Sequence, residues 1–231
     1  MDIAEFDQFA DEYMAMHAKN VKLSGEQPEY FARYKIDAVR RIWSRKTRPE
    51  PRTVLDFGAG IGNSLPHLHA HFPTAAITAL DVSDRSLQVA RHRFGDIATY
   101  QLYEGDGPVA PDGSIDLVFT SCVFHHIEAA EHVGIMRRLR ACLAPGGALV
   151  VFEHNPINPV TQHIVATCPF DENAVLLPAG VMRRRLREAG FAKVEVRYAG
   201  FFPAPLAGLR GLEPHMARLP IGAQYYTFAD G

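Results

Sequence analysis

Apolar and polar positions follow two periods along this chain, and the switches between them mark out its elements. Within residues 2–46 the period is helical: Phe6, Phe9 and Tyr13 fall on one stripe, and Phe31, Tyr34, Ala38 and Ile42 on another. Leu23-Ser-Gly-Glu-Gln-Pro28 supplies turn residues between the stripes, and Arg48-Pro-Glu-Pro-Arg52 ends the helical region. Beyond it, short apolar runs predict strands at 53–56, 76–81, 99–103, 115–120, 148–152, 191–198 and 224–229. Helices are expected from a glycine turn to about His71, over 83–93 with Ser83 as N-cap, over 131–143, and over 181–189. Val133, Met136, Leu139 and Leu143 form the inward face of the third, which Pro145-Gly-Gly147 should end; Gly190 should end the fourth.

Strands and helices that alternate this regularly predict an α/β fold: a Rossmann-like, mostly parallel sheet sandwiched by helices. Residues 1–48 are expected to form an N-terminal helical lid and 49–231 the main domain, one structural unit overall. Ligands of such sheets sit beyond the carboxyl ends of the strands, so residues just after each strand carry the chemistry.

Composition narrows the partners. At 231 residues, 47% hydrophobic and 22% charged, the chain suits one globular domain with a modest appendage. A net charge of -2 gives no electrostatic reason to expect a nucleic acid. Arg137-Arg138 and Arg183-Arg184-Arg185 read as solvated helix faces. Cys122, Cys142 and Cys168 fit neither a disulfide framework nor a metal site. The N-terminus lacks a signal-peptide pattern and no stretch is apolar enough to span a membrane, so a cytoplasmic setting is expected.

The glycine turn itself is Gly58-Ala-Gly60-Ile-Gly62, directly after the first strand. A dinucleotide fingerprint counted from Gly58 would need Gly or Ala at Asn63, and counted from Gly60 it would need one at Leu65. Asp56 precedes the turn, where a carboxylate suits an ammonium-bearing ligand better than a pyrophosphate. Asp81, after the second strand, can accept hydrogen bonds from a ribose. Asp106, in Glu104-Gly-Asp-Gly107 after the third, can accept from an adenine amine while neighbouring backbone lines the ring.

These motifs, together with Ser114-Ile-Asp-Leu-Val118, Phe124-His-His-Ile127 and Leu143-Ala-Pro-Gly-Gly147, resemble the ordered motifs of class I S-adenosylmethionine (SAM)-dependent methyltransferases, in their small-molecule subgroup (type 11/12-like). The resemblance runs from about residue 52 to 153. It implies a seven-stranded sheet with the last strand antiparallel, SAM as cofactor and S-adenosylhomocysteine as its product. It assigns Gly58 and Gly60 to the methionine end of SAM, Asp81 to the ribose and Asp106 to the adenine; Asp56, Ala59, Val82, Gly105 and Gly107 are expected to complete the cofactor pocket. Ser121 and Cys122 would lie beneath the sulfonium.

For the acceptor, His125 and His126 follow the fourth strand and Glu153 and His154 the fifth, where the methyl group should emerge; all four are candidate proton-transfer residues. The polar run from Glu153 to Thr161, with Asn155 and Asn158, is expected to face the acceptor, the alternative being a turn that satisfies its own backbone. Tyr13 or Lys35 is expected to reach the pocket, and residues 201–220 to add an apolar wall or a homodimer surface. His67, His69 and His71, or His125, His126 and His132, lack a matching carboxylate or thiolate set, so no metal is expected. The predicted function is methyl transfer to a small-molecule oxygen, nitrogen or carbon acceptor. A nicotinamide-dependent oxidoreductase and a non-catalytic SAM-binding protein remain as alternatives.

Overall fold

The computed structural model describes residues 25–168 and 173–231; the Phe6, Phe9 and Tyr13 stripe lies outside these residues. In chain order the elements are α1 (Pro28–Ser44), β1 (Thr53–Phe57), α2 (Leu65–His71), β2 (Ala76–Asp81), α3 (Asp84–Phe94), β3 (Thr99–Leu102), β4 (Ile115–Ser121), α4 (His132–Ala141), β5 (Leu143–His154), α5 (Pro159–Ala166), α6 (Ala179–Glu188), β6 (Lys193–Ala199), α7 (Glu213–Met216) and β7 (Gln224–Asp230). Short 3-10 turns cover Gly95–Ile97, Phe124–His126 and Ala204–Leu212.

The strands form one seven-stranded sheet in the order β3-β2-β1-β4-β5-β7-β6. β1 pairs in parallel with β2 and β4, as do β2 with β3 and β4 with β5; β7 runs antiparallel to both β5 and β6. The mostly parallel α/β sandwich with one reversed strand is therefore present.

Period-two patterning explains both faces of the sheet. Along β5, Ala148, Val150 and Phe152 join one core, while Leu149 and Val151 join the other. The first core is closed by Ile36, Val39, Ile42 and Trp43 of α1, with Leu65 and Leu68 of α2 and Leu87 of α3. The second takes Ile135, Met136 and Leu139 of α4 and Met182 and Leu186 of α6. Burying each such side chain stabilises the fold by about 1.5–3 kcal/mol, so the 28–44 stretch of the expected lid is fastened to the sheet as a structural layer. Order reversal at β1 and β4 leaves the crevice of a doubly wound sheet above their carboxyl ends.

Two expectations need correction. Pro145-Gly-Gly147 does not end a helix: α4 stops at Ala141 and β5 already begins at Leu143, which pairs with Ile115 across a register shift before the main ladder starts at Leu117 and Ala148. The run after β5 is not an open polar loop. Asn158 caps α5 by accepting from the Thr161 backbone N–H at 3.0 Å, and its amide donates to the Ile221 carbonyl. Asn155 donates to the carbonyls of Pro220 and Gly222, and Thr161 to that of Ala223. The alternative, a turn that satisfies its own backbone, holds only for the side-chain oxygens of Asn155 and Asn158, which accept from Ile157 and Thr161; the donors go to carbonyls of residues 220–223.

Candidate active site

β1 ends in a turn that only glycine can make. Gly58 has φ +75°, and a Cβ there would come within 2.3 Å of the Val123 side chain. Gly60, with φ +52°, has no heavy atom within 4 Å of the position a Cβ would take, so its outer face is open to a ligand. The N–H groups of Gly58 and Ala59 both donate to the Leu80 carbonyl, at 2.8 and 3.1 Å, tying the turn to β2. Asp81 completes the brace. Its Oδ2 accepts from the Gly60 N–H at 2.7 Å and its Oδ1 from the Ser83 N–H at 2.9 Å. A carboxylate has about four acceptor positions, so Asp81 can hold this backbone and still accept from a diol.

Asp56 lies behind the turn, 2% exposed, and its Oδ2 has no hydrogen-bond partner. Burial, reinforced by the Asp81 carboxylate, pushes its acid up to about 8, and the Lys35 ammonium offsets only part of this. Lys35 reaches over from α1: its Nζ donates to Ser121 Oγ at 2.6 Å and lies 3.5 Å from Cys122 Sγ. Cys122 adopts φ +60° as the chain leaves β4; a non-glycine residue held there costs about 1–2 kcal/mol. Burial alone would raise its thiol, but Lys35 and His154 outweigh that and bring it down to about 6. Asp56, Ser121 and Cys122 are thus brought together by Lys35.

The ends of β4 and β5 carry the second cluster. Glu153 is fully buried; its Oε1 accepts from the Phe124 N–H at 2.8 Å and its Oε2 lies 2.6 Å from His125 Nδ1. Burial would raise the Glu153 acid, but His125, His154 and the Phe124 N–H together hold it below the ordinary value. An ionised Glu153 places the His125 proton on Nδ1, which leaves the lone pair of the neutral ring on Nε2. The His125 ring centroid is 4.2 Å from that of His126 and 5.3 Å from that of His154, and the latter two rings are only partly buried. The four candidate proton-transfer residues therefore form one cluster, in which Glu153 joins His125 to the Phe124 backbone.

Asp106 is exposed in the loop after β3. What fixes this loop is a residue read from sequence as helix-face charge. Arg138 donates to Tyr103 Oη at 3.1 Å and to the Gly105 carbonyl at 3.0 Å, and Tyr103 Oη donates to the Gly105 carbonyl. Val82 packs against the core beneath β2, and Gly107 accepts from Tyr103 Oη at 3.3 Å. Two histidines outside the cluster have other partners: His71 pairs with Asp37, and His132 bridges the Ile127 carbonyl and Arg185.

A sequence profile for a methyltransferase domain matches residues 55–149. The trans-aconitate 2-methyltransferase of Acidovorax ebreus (strain TPSY) is 34% identical over 127 residues, which are 54% of this chain and 48% of that protein. That of Variovorax paradoxus (strain S110) is 28% identical over 227 residues, covering 88% and 86% of the two chains. Alignment with the Acidovorax protein thus spans about half its length. Among solved structures, a SAM-dependent methyltransferase from Thermotoga maritima superposes with a TM-score of 0.66 at 18% identity, covering 98% of both chains, which shows the shared fold. Residues 55–149 are thus similar to a methyltransferase domain, and the chain shares its fold with SAM-dependent methyltransferases.

Proposed function

We propose, from the match of residues 55–149 to a methyltransferase domain, that this chain is a SAM-dependent methyltransferase acting on a carboxylate oxygen of a small organic acid. The observation that carries the donor half is the buried, unpartnered Asp56 Oδ2 near the Lys35 ammonium. A carboxylate and an ammonium in one recess complement an amino-acid zwitterion: Asp56 takes the ammonium and Lys35 the carboxylate. Gly60 leaves the open face beside them, Asp81 receives the ribose hydroxyls, and Asp106 receives the adenine amine. The residues present therefore fit SAM.

When bound, SAM supplies a methyl carbon already activated on sulfonium, and the acceptor oxygen forms the new C–O bond as the S–C bond breaks. The protein's task is then alignment and exclusion of water. The substrate class comes from the relatives named for trans-aconitate. A carboxylate is ionised at neutral pH, so it needs no strong base. In this reading His126 and His154 act as hydrogen-bond donors to the acid, and His125, fixed by Glu153, keeps the wall of the site in register.

The test is transfer from methyl-labelled SAM to trans-aconitate and a panel of di- and tricarboxylates. Label released by mild alkali, the signature of a methyl ester, is expected. Alkali-stable label would move the acceptor to nitrogen, carbon or a hydroxyl and make His125 Nε2 the proton acceptor. SAM binding without turnover of any acceptor would favour a non-catalytic SAM-binding protein.

A further inference from the structure

A cavity of about 420 Å³ lies apart from the Lys35–Cys122 cleft, between α1, the β6–β7 edge of the sheet and α7. Its floor is the directly paired Arg197 and Tyr226, and one stripe of α1 (Ala38, Arg41, Ile42, Arg45) forms a wall. The far wall is held by the Tyr198 N–H, which donates to the Ala217 carbonyl at 2.8 Å.

Charge in this cavity is unequally answered. At one end Tyr34 donates to Glu213, which also accepts from the Phe201 N–H, while Arg210 stacks on Tyr30 and pairs with Glu26 at 2.5 Å. That end is internally satisfied. Toward the other end, Lys46 pairs with Glu195 and Asp230, and Arg197 with Glu195 at 3.0 Å. Arg41 and Arg45 line the same space, one helical turn apart, with no carboxylate in ion-pair reach among the described residues. Tyr226 lines the same space, and its ring stacks on Phe152 at 4.8 Å. Burial pushes the Tyr226 phenol's pKa up while Arg41, Arg197 and Arg45, which line the same cavity, offset part of the rise.

We infer that this cavity is a second ligand site, taking a small organic polyanion with at least two carboxylate or phosphate groups. Arg41 and Arg45 offer planar donor forks to one acidic group, Arg197 shares its remaining donors with a second, and the Tyr226 hydroxyl donates between them. The aromatic rings of Tyr30, Tyr34 and Tyr198 flank the carbon skeleton. Such a ligand would bridge α1 to the β6–β7 edge. It would not touch Asp56, Asp81 or the histidine cluster, none of which lines the cavity.

Calorimetry at fixed ionic strength with citrate and with pyrophosphate tests this on the full chain. Saturable binding of at least one of the two is expected, weakened tenfold or more in R41Q/R45Q and more mildly in Y226F, with S-adenosylhomocysteine affinity unchanged in both variants. Citrate alone binding in this way identifies the ligand as a carboxylate, and pyrophosphate alone as a phosphate. Both Arg41 and Arg45 are exposed, so their replacement leaves the core intact. Binding of equal strength in R41Q/R45Q, or no saturable heat with either anion, would overturn the site.

Discussion

Glu153 Oε2 and His125 Nδ1 lie 2.6 Å apart with both side chains 1% exposed, so the pair is a sealed joint between β5 and the turn after β4. Removing the carboxylate from this buried, charge-assisted hydrogen bond costs about 1.5–3 kcal/mol. Glu153→Gln is therefore expected to lower Tm by on the order of 10 °C for a chain of this size and to reduce kcat more than it raises KM. A His125→Asn change in the same background should cost much less than it does alone. Because the Glu153 acid is held below its ordinary value, its stabilisation is present above the unfolded value of 4.5 and is lost as pH falls through the folded one. Acid unfolding of Glu153→Gln should accordingly show a weaker pH dependence below pH 5.

Asp56 titrates the opposite way. Its acid stands at about 8 in the ligand-free protein, against 3.8 ordinarily, so at neutral pH the folded chain holds a proton there. An ammonium group arriving at Asp56 displaces it. Calorimetry of S-adenosylhomocysteine at pH 7 in buffers of different ionisation enthalpy should report release of about one proton, falling away above pH 8. Affinity should weaken as pH drops below 8. Asp56→Asn should abolish the proton release and weaken binding by about 10- to 100-fold, while raising Tm above pH 8, where wild-type Asp56 is a buried charge. Release that persists in Asp56→Asn would assign it elsewhere.

Gly58→Ala combines a left-handed conformation, about 1–2 kcal/mol, with overpacking against Val123, about 1–3 kcal/mol. Chemical denaturation should show the loss. The same change in a Val123→Ala background should cost less, because the atoms it strikes are gone.

Legibility in the sequence followed the range of the interaction. Period-two and period-3.6 patterns are local, and they located every strand of the sheet. The glycine turn was legible too, since its residue types answer to backbone shape and to a ligand that must approach closely. Lys35 escaped a firm role because its partners Ser121 and Cys122 lie more than 80 residues away, and nothing in the α1 stripe separates a lysine that faces solvent from one that enters a cleft. Asn155 and Asn158 looked like ligand-facing polar groups because their true acceptors, the carbonyls of residues 220–222, leave no side-chain signature. At Gly147 the reason for glycine is close approach within the sheet, where a Cβ would meet the Ile115 carbonyl at 2.9 Å; a helix-stop reading uses the same residue for a different cause.

Arg138 carries a prediction of this kind. Its contacts to Tyr103 and Gly105 tie α4 to the loop that bears Asp106. Arg138→Ala should weaken S-adenosylhomocysteine binding by up to about tenfold, with little change in Tm and none in the pH of proton release. Loss of the fold in this variant would instead make Arg138 a core residue.

Binding of S-adenosylhomocysteine to the wild-type chain and to Asp81→Ala, followed by calorimetry, tests the central claim most directly. Asp81 holds the Gly60 turn and is the acceptor assigned to the ribose, so two functions are lost together. One site per chain with a dissociation constant on the order of micromolar, weakened about 100-fold or more in Asp81→Ala, is the predicted result. No binding to the wild-type chain, or equal affinity in the two proteins, would contradict the account.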